Sequence, residues 1–530
     1  MKKIKFSFIF ALVALLSVGL TGCNSDKGPD AGDFMPISEV IANAKKLTAD
    51  SGNDSDNVVK GTPNFDVPAG GYDGSDVTIT FYHTMGSNLK DVLTQYITEF
   101  NTIYPNIHIN DSQVGGYDDV RDQINTEITV GNQPNIAYCY PDHVASYNMA
   151  KAVATLDNLI DSTASDGAGG VLGLSSEQKA DFIKGYYDEG KQFGDGLMYS
   201  LPLSKSTEVL YYNKTFFDQH NLSVPTHWFS ESESDTTSLE YVCKRIKEID
   251  PNSIPLGYDS EANWFITMAE QCGSGYTSSD VTNHFIFDNP TNKAVLKEFR
   301  SWYQKGWITT QTIYGSYTSG LFINIPTTSA QSVAASDTAS ASGSSSASSS
   351  TRSYMSIGSS AGATHQRPTK GDDGYPFEVG IATIPQMSTT YRRVISQGPS
   401  LCIFNKKSNP QEVVASWLFV KFLTTNVEFQ AEFSMASGYV PVIKSVSENE
   451  VYKDWLAKAN GGDYIAALSA KVCLEQEDAY YTSPAFNGSS VARDQVGALL
   501  TKVLSSTTNK ENQMIIDAFK DAIYECEYQA

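Results

Sequence analysis

The stretch from Val77 to Tyr140 alternates between two hydrophobic periods, and this alternation limits the fold more than any other feature of the chain. Val77, Ile79 and Phe81 recur at every second residue, and Leu89, Leu93, Tyr96, Phe100 and Ile103 then recur at helical spacing. Pro105 stops that helix. Ile107 and Ile109 predict a second strand, Val120, Ile124 and Ile128 a second helix ended by Gly131, and Ile136, Tyr138 and Tyr140 a third strand. This order predicts an α/β architecture with an open parallel sheet and helices on both faces. Such sheets take ligands at the carboxyl ends of their strands, which points to residues 82–88, 111–119 and 140–147.

A chain of 530 residues with 41% hydrophobic content can bury a large core and should form more than one lobe. Its net charge of −22 repels nucleic acid and anionic membrane surfaces, so neither is expected as a partner. None of the seven cysteines stands in a CxxC pair, and no HExxH, Walker A or GxGxxG pattern occurs. Metal and nucleotide chemistry therefore have no support, and no cofactor is implied.

At the N-terminus Lys2, Lys3 and Lys5 precede the apolar run Phe6 to Leu20, and Leu20-Thr21-Gly22-Cys23 closes it. This reads as a signal peptide over residues 1–22 with a lipobox, so that a lipidated Cys23 begins the mature chain. The expected location is the outer face of the cytoplasmic membrane, or the periplasm. Residues 23–75, rich in Asp, Gly, Ser, Asn and Pro, read as a flexible tether with one short helix around Ile37 to Leu47. Residues 327–352, with the run from Ala341 to Ser350, read as a disordered serine-rich insertion. The six other cysteines, Cys139, Cys243, Cys272, Cys402, Cys473 and Cys526, allow 15 pairings and are read mainly as core residues.

Several segments together resemble the family 1 extracellular solute-binding proteins, which include the maltose- and glycerol-3-phosphate-binding proteins. They are Phe81-Tyr82-His83-Thr84-Met85, Gly131-Asn132-Gln133-Pro134-Asn135-Ile136, Leu210-Tyr211-Tyr212-Asn213-Lys214, Trp417-Leu418-Phe419-Val420-Lys421-Phe422-Leu423 and Ser437-Gly438-Tyr439-Val440-Pro441-Val442. The likeness covers roughly residues 76–530. The His83-Thr84-Met85 turn, the Gly116-Tyr117 pair, Tyr354 to Ser360, and Arg493 are most similar to the glycerol-3-phosphate and glycerophosphodiester binders.

The resemblance implies a two-lobe (type II) periplasmic-binding-protein fold. One lobe is expected from 76–206 plus 383–432 and the other from 207–382 plus 433–530, with crossings near 206, 383 and 432. It implies a monomer that captures a glycerol phosphate, a glycerophosphodiester or a carbohydrate by closing its cleft. Delivery would be to the permease subunits, and through them the ATPase, of an ABC importer. The implied ligand contacts are Tyr117, Ser206, Trp264, Ser359 or Ser360, Gly398, Tyr439 and Arg493. Where those binders carry an acidic residue after the third strand this chain has Tyr140-Pro141-Asp142, so Asp142 stands one position late.

The residue chemistry fits that reading and leaves alternatives open. Arg493 and the Gly358-Ser359-Ser360-Ala361-Gly362 loop suit an anion, whereas Tyr117, Trp264 and Tyr439 suit a sugar or glycerol. Equally, Arg493 is a candidate ion pair, Trp264 a candidate core residue, and Tyr439 a candidate turn residue. The loop also matches the GxSxG pattern of a hydrolase elbow. The only histidine after it is His365, with no carboxylate between, so a catalytic triad could not close and no enzyme is expected. A surface adhesin that binds polysaccharide without transport is the remaining alternative.

Overall fold

The computed structural model describes residues 32–48, 60–280, 282–324, 351–406 and 408–529. The expected signal peptide, Cys23 and residues 327–350 of the expected serine-rich insertion lie outside the described residues. Among the described residues, twelve strands form two sheets. Strands β1 (Val77–His83), β2 (Ile107–Gln113) and β3 (Ile136–Cys139) are parallel, and with β4 (Ser200–Pro202) and β11 (Ser400–Ile403) they form a sheet in the order β2-β1-β3-β11-β4. The period-two positions Val77, Ile79 and Phe81 point into the core, and the helix Ser87–Ile103 covers the sheet with Leu93, Tyr96 and Phe100. That accounts for the alternation in the sequence.

The second sheet runs β12-β10-β5-β8-β6-β7. It comprises β5 (Ser206–Asn213), β6 (Leu256–Tyr258), β7 (Ile308–Thr310), β8 (Met355–Ser359), β10 (Val394–Gln397) and β12 (Tyr480–Tyr481), with β9 (Val379–Thr383) paired to β5. A separate core lies under each sheet. The chain crosses from the first to the second lobe at 203–206. Because β10 pairs with β5, it returns at Gly398 and not near 383. Phe433, Val440, Val442, Ile443 and Tyr452 belong to the first core, so the last crossing follows residue 452 and does not lie near 432.

Two crossing segments, at 203–206 and at Gly398, meet at the hinge, where the first-lobe segment at Val440 braces them. Lys205 and Val440 exchange backbone hydrogen bonds of 3.0 and 2.7 Å. Gly398 has φ +96°, and a Cβ there would stand 2.5 Å from the Ser204 carbonyl oxygen, so this position requires glycine on both counts.

The segment expected as a free tether is packed where it is described. The helix Ile37–Ala44 buries Val40 and Ala44 in the second core beside the helix Pro290–Gln304. Residues 60–75 lie on the first lobe, with Phe65 and Tyr72 in its core and the Asn64 amide donating to the Val153 carbonyl at 2.8 Å. The polar composition concealed these few anchoring side chains.

Candidate functional site

The carboxyl end of β3 opens onto a cavity of about 60 Å³ between the lobes. Tyr140 and Asp142 enter it from the first lobe, where Pro141 starts the helix Pro141–Asn148. Tyr276 and Arg493 enter from the second lobe. Arg493 sits at the start of the second turn of the helix Ser489–Ser505, which packs along the helix Glu261–Gln271, and its guanidinium donates to Asn263 Oδ1. The floor is Glu189, with Ser396 and Thr482 beside it.

An aromatic stack backs the first-lobe wall. Tyr117 lies on Tyr140 with ring centroids 4.4 Å apart and on Tyr138 at 6.3 Å. Burial, then the neighbouring Tyr439, Tyr140 and Tyr138 hydroxyls, pushes the Tyr117 phenol well above its usual value. These rings stay neutral and offer apolar faces with polar tips. Below Arg493, burial raises Glu208 to about 7, against hydrogen bonds from Tyr258 and Asn263 and the attraction of Arg493.

The expected contacts divide into two groups. Asp142 and Arg493 line the cavity, and Tyr117 and Tyr439 stand behind it. Gly398 holds the hinge, and the hydroxyls of Ser206 and Ser359 face each other at 3.5 Å. Trp264 does not reach the cavity. It is 0% exposed and packs between Tyr258, at 4.8 Å, and Phe299, at 4.4 Å. Ser360 is likewise a core residue whose Oγ accepts from the Thr207 amide at 3.2 Å. The 358–362 loop makes a poor anion cradle, because a Cβ at Gly358 would meet the Asp259 carboxylate at 2.8 Å.

Sequence reasoning missed Tyr276, Ser396, Thr482 and Glu189. Glu189 ends the short run Lys184–Glu189, which reads as a solvated helix. Its burial follows from an ion pair with Lys205, 16 residues on, which no local pattern reveals.

Residues 95–460, which include strands of both sheets, match the family described as bacterial extracellular solute-binding proteins. The chain belongs to that family. Among curated relatives of this solute-binding protein is the sn-glycerol-3-phosphate-binding periplasmic protein UgpB of Escherichia coli K12. It is 26% identical over 145 residues, which are 27% of this chain and 31% of that protein. The chain thus spans about a third of the length of the curated relatives it matches. Similar solved structures include UgpB from Mycobacterium tuberculosis in complex with glycerophosphocholine, with a TM-score of 0.61, 16% identity, and coverage of 86% of this chain and 99% of that one. An ABC substrate-binding protein from Listeria monocytogenes in complex with cycloalternan has a TM-score of 0.61 and 17% identity, covering 84% and 98%. These structures share the two-lobe fold, and the relatives are binding proteins, in keeping with the non-enzymatic reading.

Proposed function

We propose that this chain is the capture component of an ABC importer and holds a small hydroxylated solute in the cleft between its lobes. The carrying observation is the cavity itself: each lobe contributes aromatic and charged groups to it, so closing around a solute joins contacts that neither lobe makes alone. Arg493 offers a guanidinium to a phosphodiester or a hydroxyl, and the tyrosines offer faces to a glycerol or sugar skeleton. The solute class is a glycerol phosphate, a glycerophosphodiester or an oligosaccharide, supported by what the relatives bind. The presence of Asp142 and Glu189 in the same cavity favours an oligosaccharide or a diester over a dianionic monoester.

The protein works as a monomer, held by lipid at Cys23 outside the cytoplasmic membrane, and presents its closed form to a membrane permease. Calorimetric titration of the purified chain against glycerol-3-phosphate, glycerophosphocholine and malto-oligosaccharides tests the solute class. Tight binding of one of them is the expected result, and binding of none refutes it.

A further inference from the structure

Glu189 and Lys205 are 2% and 0% exposed, and Lys205 Nζ stands 2.5 Å from Glu189 Oε1. Taking two charges out of water offsets most of their attraction, so a buried ion pair is seldom favoured for stability over an apolar pair of similar volume. This one forms the floor of the cleft, and its two carboxylate oxygens are used unequally. Oε1 is engaged by Lys205 and, at 3.4 Å, by the Ser400 hydroxyl. Among the described residues, Oε2 has only the hydroxyls of Ser396 and Thr482, each at 3.4 Å, and both residues line the cavity from the second lobe. A hydroxyl donating to a carboxylate settles at about 2.5–2.7 Å. The cavity-side oxygen therefore has unused accepting capacity.

We propose that Glu189 is a hydroxyl-recognition subsite, in which a solute hydroxyl donates to Oε2 while Lys205 holds the carboxylate in place. Lys205 is fixed independently of any solute by its backbone pairing with Val440 and by Nζ contacts to Ser400 Oγ at 3.3 Å and the Gly398 carbonyl at 3.4 Å. The subsite is therefore preorganised at the hinge. Its charge selects a neutral hydroxylated end of the solute and repels an anionic one, which is left to Arg493. This inference rests on the cleft being the solute site.

The test is titration of the full chain with glycerophosphocholine and with maltotriose. It compares the wild type, Glu189→Gln, and the double variant Glu189→Gln/Lys205→Met, which removes the unpaired buried lysine. Both variants should lose about tenfold or more in affinity for whichever probe the wild type binds, as expected for a hydrogen bond to a charged group. The double variant should also unfold near the wild-type temperature. Wild-type affinity in a folded double variant overturns the subsite and leaves the cleft assignment standing. A wild type that binds neither probe overturns the solute class, and the subsite with it.

Discussion

Glu208 carries an acid-linked contribution to stability. Burial holds its folded-state value at about 7, above the ordinary 4.5, so the folded chain keeps a proton that the unfolded chain releases. Its contribution is complete below about 4.5 and is lost as pH rises through about 7. Glu208→Gln should therefore gain stability relative to wild type across that window, read as a difference in thermal midpoint that widens from pH 5 to pH 8. A constant difference would mean the carboxyl is already ionised at pH 5. At Trp264 the expected effect is on the fold. Trp264→Ala removes a fully buried ring and should cost about 3–5 kcal/mol in denaturant unfolding. Its amphipathic character made it readable as either a core or a ligand residue. Sequence gives the type of such a residue, whereas its orientation on the helix Glu261–Gln271 follows from packing against Tyr258 and Phe299. Arg493→Ala, in contrast, should weaken an anionic or hydroxylated solute while leaving the unfolding midpoint close to wild type, in calorimetry and thermal melts respectively.

At the scale of elements, the parallel strands β1 and β2 and the helices that follow them were legible because one face of each is buried and the other is not, which writes a period into the sequence, whereas β3 is buried on both faces. The second sheet was less legible. Strand β5 is buried along nearly its whole length, and its neighbours β8, β9 and β10 arrive from more than 140 residues away, so their order depends on long-range pairing. The crossing at Gly398 shows the same limit: a Gly-Pro pair marks a turn, but only the proximity of Ser204 and Lys205 makes it a hinge. Gly398→Ala forces a Cβ onto the Ser204 carbonyl at a positive φ. It should cost about 2 kcal/mol or more in equilibrium unfolding. An unchanged midpoint would show that the crossing segments move apart readily.

In the whole molecule, the lobes also touch away from the floor of the cleft. Arg121 of the first lobe donates to Ser490 Oγ at 3.0 Å and stands 3.8 Å from Asp494, both on the second-lobe helix Ser489–Ser505. Without solute, Arg121→Ala should shift the population toward open forms, seen in solution scattering as a larger radius of gyration than wild type. An identical radius would mean that these contacts do not bias the equilibrium. The packed N-terminal segment also bears on the anchoring proposed above. Were Cys23 the anchor, the 11 residues from it to Phe34, which packs on the second-lobe core, would span at most roughly 40 Å, at about 3.6 Å per residue. That length would keep the second lobe within about one lobe's width of the bilayer and limit how the cleft could be turned toward a permease.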